Sequence, residues 1–171
     1  TEVTNLGLEN TFITGEYDTD SIGSLCGYNN FGSIANCYAN GLITGGDKSS
    51  YLGGLCGYNN YGNITNCYTN SSITGSGESY DLGGLCGYNN YGSIANCYTN
   101  GLVAGEAASC NIGGLCGINW YGYIEYSYST GPVIGGNGSY NINGLCGSQT
   151  GDDAEIRNSF WDIETSGQTG S

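Results

Sequence analysis

Apolar side chains along this chain fall in short runs rich in β-branched and aromatic residues, and no run shows the spacing of an amphipathic helix. Asparagine and glycine separate the runs, and both residue types tolerate the positive φ angles of tight turns. Short apolar runs between such turns predict β-strands throughout the chain.

The same order of apolar and polar positions returns every 30 residues without drift. Each unit contains three extended pieces, Gly-Gly-Leu-Cys-Gly-Tyr, Ser-Ile-Ala-Asn-Cys-Tyr and Gly-Leu-Ile-Thr-Gly, and Asn-Asn-Tyr-Gly forms a turn between the first two. A fixed period of this size is typical of stacked repeat architectures. The sequence therefore predicts an all-β fold, a parallel β-solenoid (β-helix) of about five 30-residue coils with three short strands per coil.

Two atypical segments flank the repeats, which occupy residues 21–147. Residues 1–20 lack cysteine and are predicted to form an N-terminal capping half-coil, and residues 148–171 are predicted to form a C-terminal cap. Terminal repeats of solenoids are atypical because they cover an otherwise open core. Each cap holds five of the 15 acidic residues, and charged ends discourage the addition of further strands.

Equivalent positions in successive coils are expected to stack at about 4.8 Å, the spacing of neighbouring strands. Such side-chain ladders join one coil to the next, as they do in cross-β stacks. We therefore interpret the repeated tyrosines as structural and not as a sugar-binding platform. The predicted ladders are Leu25/Leu55/Leu85/Leu115/Leu145, Asn29/Asn59/Asn89/Asn119, Ile34/Ile64/Ile94/Ile124 and Tyr38/Tyr68/Tyr98/Tyr128.

The fourth coil departs from the repeat at several positions. Ile118 replaces the tyrosine of the preceding coils, Trp120 replaces an asparagine and Ser127 replaces a cysteine. Cys110 stands where both neighbouring coils have tyrosine, and we expect it to lie in an exposed turn. Departures concentrated in one coil indicate that this coil either lies near the end of the array or makes a contact.

Charge limits the partners that this chain can have. Its net charge is −13, and Lys48 and Arg157 are its two basic residues. A chain this acidic cannot neutralise phosphates, so we expect no binding to nucleic acid or to anionic membrane surfaces. No apolar run approaches the roughly 20 residues that span a bilayer, which predicts no membrane insertion. The absence of methionine and of a signal peptide leads us to expect a mature product or a piece of a longer protein.

Groups suited to catalysis are scarce. The chain has no histidine, which removes Ser-His and Cys-His nucleophilic systems. Carbohydrate-cleaving enzymes use paired carboxylates, whereas the acidic residues of the coils lie at unrelated phases of the repeat. We expect no enzymatic activity.

Nine cysteines, eight of them on the 30-residue lattice, indicate an oxidising, extracellular or cell-surface location. Buried free thiols are the alternative, because cysteine packs well in protein interiors. Zinc is disfavoured because the sequence has no histidine and no Cys-x-x-Cys. The lattice positions are Cys26, Cys56, Cys86, Cys116 and Cys146 in one set and Cys37, Cys67 and Cys97 in the other.

Two pairing schemes are open for these cysteines. We favour bridges about the turn at Phe31 and Gly32 and its equivalents, which leave each coil self-contained and are worth about 3 kcal/mol each. This scheme pairs Cys26–Cys37, Cys56–Cys67 and Cys86–Cys97. The rival, about the other turn, pairs Cys37–Cys56, Cys67–Cys86 and Cys97–Cys116. Pairing along a ladder suits the S–S torsion poorly. The candidates for interchain bonds or free thiols are Cys110, Cys116 and Cys146.

Calcium ligands and glycosylation sequons are the remaining candidate sites. Asp152 and Asp153 offer hard oxygen ligands, which makes calcium the one cofactor considered. A solvated acidic cap is the competing interpretation, because no glycine-aspartate calcium loop repeats. The Asn-x-Ser/Thr sequons are at Asn63, Asn70 and Asn137.

Gly-Gly-Leu-Cys-Gly-Tyr-Asn followed by Gly-x-Ile-x-Asn-Cys-Tyr resembles the GLUG-motif repeats of bacterial surface and secreted proteins. The ending that starts at Ser159-Phe-Trp-Asp also resembles the segment that follows such arrays. The resemblance implies an extracellular β-solenoid with an adhesive, scaffolding or spacer role. In the immunoglobulin A peptidases such repeats accompany a catalytic domain, which nothing in this sequence resembles. Cysteine after the motif leucine is a departure, since the family tends to have valine there.

Taken together, these observations predict a non-catalytic extracellular structural protein, a disulfide-stabilised solenoid unit that self-associates into a surface filament or stalk. The alternative is a carbohydrate-binding or adhesin module of a larger cell-surface protein. In that alternative, Trp120 and the turn residues Tyr61, Tyr91 and Tyr121 would form the platform for a glycan.

Overall fold

The computed structural model describes residues 1–169, which form 25 short strands and one helix. The half-coil contains β1 (Glu2–Thr4) and β2 (Gly7–Thr14); the first coil contains β3 (Asp20–Gly23), β4 (Cys26–Asn30), β5 (Ser33–Ala35) and β6 (Tyr38–Gly45). The second contains β7 (Ser50–Gly53), β8 (Cys56–Asn60), β9 (Asn63–Thr65), β10 (Tyr68–Thr69) and β11 (Ser72–Gly75). The third contains β12 (Tyr80–Gly83), β13 (Cys86–Asn90), β14 (Ser93–Ala95), β15 (Tyr98–Thr99) and β16 (Val103–Gly105). The fourth contains β17 (Cys110–Gly113), β18 (Cys116–Trp120), β19 (Tyr123–Glu125), β20 (Tyr128–Ser129) and β21 (Val133–Gly135). The fifth contains β22 (Tyr140–Asn143), β23 (Cys146–Thr150), β24 (Glu155–Arg157), β25 (Phe160–Trp161) and the helix α1 (Ile163–Ser166).

Every strand pairs in parallel with its equivalent in the neighbouring coil, so Cys26 lies opposite Cys56 and Ile34 opposite Ile64. The strands form four sheets that wall the solenoid. Sheet 1 is β1-β5-β9-β14-β19-β24, sheet 3 is β3-β7-β12-β17-β22, and sheet 4 is β4-β8-β13-β18-β23. Sheet 2 contains β2, β6, β10, β11, β15, β16, β20, β21 and β25. The predicted parallel β-solenoid of about five coils is thus confirmed.

The prediction of three strands per coil is wrong, because each coil runs through four walls. The sequence pattern predicts one extended piece for Gly-Gly-Leu-Cys-Gly-Tyr, but the chain bends within it. In the second coil, β7 ends at Gly53 and β8 begins only at Cys56. The bend divides the piece between sheets 3 and 4.

The corners between walls are built by residues in the left-handed region of φ. One such corner is occupied by Phe31, Tyr61, Tyr91 and Tyr121, with φ between 49 and 54°. The predicted turn there relied on asparagine and glycine for positive φ, whereas the aromatic residue adopts it. Gly32 serves another purpose, because a Cβ on it would collide with Asn29 Oδ1.

The interior is divided into two buried clusters. Ile34, Leu55 and their equivalents pack with the lattice cysteines in the first, and Ile43 and Leu52 with their equivalents fill the second. At the boundary between them Thr69 Oγ1 donates to the carbonyl of Gly84 at 2.6 Å, and Thr99 repeats the bond one coil later. The predicted leucine and isoleucine ladders are therefore the core of the first cluster.

Both ends of the described chain carry specific contacts. β1 and β2 pair with β5 and β6, which places the half-coil against sheets 1 and 2. At the other end Asp162 caps α1 by accepting from the Glu164 N–H at 2.9 Å, and the Trp161 indole donates to Gln168 O at 3.1 Å. The last two residues of the predicted C-terminal cap, 170–171, lie outside the described residues. No helix within residues 1–169 is long and apolar enough to cross a membrane.

Candidate functional site

The cysteines of sheet 4 form a ladder through the first core cluster. Each lies opposite the next in register, from Cys26 to Cys146. Their thiols donate to the carbonyl two residues further on, as Cys56 does to Tyr58 O at 3.4 Å. Burial raises the pKa of the Cys116 thiol, and the neighbouring thiols Cys146 and Cys86 raise it further. A neutral, buried thiol is a poor nucleophile, so we expect the Cys116 thiol to be unreactive.

All nine cysteines are free thiols in the structure. The bridges expected within coils, Cys26–Cys37, Cys56–Cys67 and Cys86–Cys97, are not formed here, and the pairing stays a prediction. Of the residues considered for interchain bonds, Cys116 and Cys146 are buried, and Cys146 borders a cavity of about 350 Å³ with Leu145 and Trp161. Cys110 retains partial exposure.

Cys110 does not lie in the exposed turn expected from the sequence. It begins β17, half-buried, in register between Tyr80 and Tyr140. Burial raises the pKa of its thiol, and a hydrogen bond with the Tyr140 hydroxyl partly offsets that shift. The 30-residue period predicts the register of Cys110 with Tyr80 and Tyr140. It does not predict that Cys110 lies in a strand, because the sequence was interpreted with three strands per coil, and β17 belongs to an additional wall.

In the second cysteine ladder, at a corner of the coil, the thiols take the place of backbone groups as hydrogen-bond partners. Cys37 N–H donates to Cys67 Sγ at 3.4 Å, and each thiol donates to the carbonyl two residues before it, as Cys97 does to Ala95 O at 3.2 Å. Ser127 and Ser159 continue the same pattern with oxygen, since Cys97 N–H donates to Ser127 Oγ at 3.1 Å. The serine of the fourth coil is therefore a conservative replacement.

We expect Cys97→Ser to change the free energy of unfolding by less than about 1 kcal/mol, whereas Cys97→Val should lower it by about 1–3 kcal/mol. Valine is close to cysteine in size, but it removes the sulfur that donates to the Ala95 carbonyl and that accepts from the buried Cys67 N–H. Urea unfolding under reducing conditions measures both variants. Equal stabilities for the two variants would contradict the hydrogen-bonding role. A serine variant that loses about 2–4 kcal/mol only without reductant would instead reveal a disulfide.

Tyrosines stack in long ladders, as predicted. Tyr38, Tyr68, Tyr98 and Tyr128 stack at 4.9–5.2 Å between ring centroids, and Phe160 adds a fifth rung at 5.4 Å. The predicted asparagine ladder is also confirmed: Asn59 Nδ2 donates to Asn89 Oδ1 at 2.8 Å and to its own Gly62 O at 2.9 Å. These two ladders hold successive coils in register.

A second set of ladders forms an exposed surface that we call the tyrosine–asparagine face. Its three adjacent columns are Tyr28/Tyr58/Tyr88, Asn30/Asn60/Asn90 and Phe31/Tyr61/Tyr91/Tyr121. The residues Phe31, Tyr61 and Tyr91 remain 68%, 46% and 44% exposed. The Tyr58 hydroxyl lies near the Asn90 side chain, so the first column borders the second. The face contains no charged position although the chain is strongly acidic.

The aromatic column of this face occupies strained backbone. A non-glycine residue in the left-handed region costs roughly 1–2 kcal/mol, and asparagine tolerates this region better than aromatic residues. The chain uses Asn36, Asn66 and Asn96 at the next corner with nearly the same φ, 53–54°, and an aromatic residue occurs there in the fourth coil, Tyr126 with φ 50°. Stacking of about 0.5–1.5 kcal/mol per ring pair only balances that strain. Backbone geometry and stacking therefore do not by themselves account for aromatic residues at this corner.

Stacking also decides which ring surfaces are available to a ligand. Tyr61 lies between Phe31 and Tyr91 with interplanar angles of 7° and 4°, so its ring faces are covered and its edge and hydroxyl point outward. The outer face of Tyr121 is covered by Gly151, whose added Cβ would lie 2.7 Å from the ring. Trp120 is different, because it meets Tyr121 edge-on at 62° and 5.8 Å. The platform residues expected from the sequence lie together, but Trp120 is the one with a ring outside the parallel stack.

A buried carboxylate lies at another corner, and the sequence analysis did not identify it. Asp81 is 5% exposed and accepts a hydrogen bond from Asn111 Nδ2 at 2.7 Å; Asn141 in turn donates to Asn111 at 2.8 Å. Burial raises the pKa of the Asp81 carboxyl to about 6. Its signal in the sequence is an acidic residue within a column of neutral polar side chains.

The candidate calcium ligands and sequons lie on the surface. Asp152 and Asp153 are exposed in the insertion after β23, and no group of three or more acidic, cysteine or histidine side chains in the described part of the chain is arranged to hold a metal ion. Calcium binding stays an untested prediction. Asn63, Asn70 and Asn137 are all exposed, so their glycosylation also stays a prediction.

Comparison with known proteins identifies the repeat. The family model of the GLUG motif matches residues 19–44, 48–74 and 78–104, and each match covers about one coil. Neither the curated proteins nor the solved structures give a match to this chain. The resemblance predicted from Leu-Cys-Gly-Tyr-Asn and Asn-Cys-Tyr is thus confirmed. The chain therefore contains three GLUG-motif repeats, and each motif forms about one coil of a parallel β-solenoid.

Proposed function

We propose that this chain is a non-catalytic repeat module of an extracellular surface protein, in which the solenoid acts as a rigid stalk or spacer. The observation that carries the proposal is the continuity of the ladders from coil to coil. Five coils at a strand spacing of about 4.8 Å extend the array by about 24 Å. The repeated leucine, isoleucine and cysteine positions form the core, and the buried asparagines form a ladder, which is typical of a scaffold.

A structural role also agrees with the chemistry of the groups present. The thiols of both lattice ladders are hydrogen-bonded to backbone carbonyls within the first core cluster. The sequence has no histidine that could activate them. These features support a chain without catalysis, in which cysteine is a packing and hydrogen-bonding residue.

We further propose that copies of the chain associate into a filament, through lateral contacts or through Cys110. Non-reducing and reducing gel electrophoresis, with Cys110→Ser as the matched control, tests the covalent route, and electron microscopy tests assembly. We expect a dimer band that reductant removes and that Cys110→Ser lacks. A chain that runs as a monomer under both conditions and shows no fibres would make the filament proposal wrong.

Carbohydrate binding is the second candidate function, and the placement of Trp120 supports it. Its ring lies outside the parallel stack, at the end of the tyrosine–asparagine face. A glycan array with the wild type and with Trp120→Ala tests this candidate. An array without hits would exclude it for the glycans tested and would leave the structural role unaffected.

A further inference from the structure

We propose that the tyrosine–asparagine face binds a neutral, linear, β-linked polysaccharide that lies along the solenoid axis and ends its contact on Trp120. The proposal rests on the carbohydrate-binding candidate above and is independent of filament formation. It assigns the contact mainly to the asparagine column, which the sequence analysis did not consider, and gives the tyrosines a hydrogen-bonding role.

The asparagine column offers a regular series of polar groups. Asn60 Nδ2 donates to Asn30 Oδ1 at 2.7 Å, and Asn90 Nδ2 donates to Asn60 Oδ1 at 2.7 Å. A carboxamide has two N–H donors and two acceptor positions. The ladder uses one donor and one acceptor of Asn60, so one of each remains for a ligand. Sugar hydroxyls both donate and accept, and they therefore complement this pair of groups.

The spacing of the column suits a polymer better than a single sugar. Successive carboxamides are one strand spacing apart, about 4.8 Å. An extended β-linked chain of hexoses or pentoses advances by a similar length with each sugar, so neighbouring sugars would meet equivalent groups. Binding through several equivalent weak contacts gains affinity by multivalency.

The flanking tyrosines complete the polar strip. Their ring faces are covered within the stacks, so they present edges and hydroxyls on both sides of the asparagine column. The carboxamide ladder ends at Asn90, because Trp120 occupies the next position in register. Trp120 is half-buried and lies outside the parallel tyrosine stacks, and an indole suits the apolar face of a sugar ring, so it offers the strip a stacking contact at this end.

Charge identifies the ligand as neutral. The face has no cation that could pair with a uronic acid, a sulfated sugar or a phosphate. The net charge of −13 repels polyanions and would also repel single-stranded nucleic acid, the other polymer that aromatic rows attract. The strained aromatic corner described above is explained if the rings serve recognition, since neither the backbone nor the stacking requires them.

Affinity electrophoresis in native gels tests the proposal, because this acidic chain migrates freely in them. The gels contain hydroxyethylcellulose, xyloglucan, mixed-linkage β-glucan or galactomannan, with α-linked dextran and anionic alginate for comparison. We expect at least one neutral β-linked polymer to retard the wild type, and alginate not to. Retardation by alginate alone, or by none of the polymers, would overturn the proposal.

Variants locate the contact on the face. Asn60→Ala and Trp120→Asn should each raise the dissociation constant by about tenfold, which corresponds to roughly 1.4 kcal/mol. The second variant carries the side chain of the preceding coils, so it is expected to fold. Asn70→Ala is the matched control, because Asn70 is an exposed asparagine outside the face and, like Asn60, has its backbone outside the left-handed region.

The results for the variants and for the wild type distinguish the location of the contact from carbohydrate binding itself. Binding that persists in both face variants, with circular dichroism unchanged, would overturn the proposed face while leaving carbohydrate binding intact. Loss of binding in Asn70→Ala to the same extent would overturn the face as well, since it would show that removal of a carboxamide away from the face has the same effect. Absence of binding in the wild type would overturn both, and fibre formation is unaffected by either result.

Discussion

Replacing Asp81 by asparagine is expected to raise the free energy of unfolding by about 3 kcal/mol at pH 7 and to leave it nearly unchanged at pH 3. Burial raises the pKa of the Asp81 carboxyl from 3.8 to about 6. The folded state therefore favours the protonated form. The favourable contribution of this group is complete below pH 3.8 and is lost as the pH rises through 6.

The titratable groups that face Asp81 do not ionise between pH 4 and 7, so the change in the free energy of unfolding over this range is due to Asp81. Tyr51, Tyr88 and Cys110 face the carboxyl, and burial raises the pKa of all three, that of Tyr51 to about 12. They stay protonated throughout the window. The introduced carboxamide can still accept the hydrogen bond from Asn111 and would extend the ladder of Asn111 and Asn141.

Urea unfolding of the wild type and of Asp81→Asn at pH 3 and pH 7 measures the difference. Asp152→Asn is the matched control, because it removes the same charge from an exposed position. Equal stabilisation by the two substitutions at pH 7 would show that net charge, and not burial of Asp81, is responsible. A gain of the same size at pH 3 would contradict the proposed protonation.

The coil could be predicted from the sequence, because a period without drift admits only in-register stacking. Leu55, Ile64 and Asn59 recur at fixed places, and stacked parallel strands bring identical side chains together in any such fold. The core and the ladders therefore follow from the period alone. The number of walls does not, since it depends on where the chain bends, and Gly54-Leu55 bends within a run that looks extended.

Only part of the candidate surface could be predicted from the sequence. The position of Tyr61, Tyr91 and Trp120 in successive turns was predicted, but the orientation of their rings depends on how closely the coils stack. At 4.9 Å between ring centroids, neighbouring tyrosines cover each other's ring faces. Their hydroxyl groups, and not their ring faces, are then available to a ligand. Asp81 was missed for a similar reason, because burial of a corner position depends on neighbouring coils.

We expect a single added methyl group to lower the free energy of unfolding most at the glycine in the bend between sheets 3 and 4. We expect Gly83→Ala to lower the free energy of unfolding by at least about 3 kcal/mol, or to prevent folding. An added Cβ would collide with Cys86 O and lie 2.7 Å from Gly117 N and 2.8 Å from Cys116 Cα. These atoms belong to the backbone of two successive coils, so they cannot move aside without separating the strands.

Gly77→Ala is the matched control, because an added Cβ there would have its nearest neighbours, Ala107 O and Asp47 Oδ1, at 3.7 Å. Ala107 already occupies the equivalent position one coil later. We expect this variant to gain about 0.5 kcal/mol, since alanine restricts the unfolded chain. Thermal and urea unfolding compare the two. Similar midpoints for Gly83→Ala and the wild type would mean that sheets 3 and 4 do not approach as closely as described, and the four-walled coil would have to be revised.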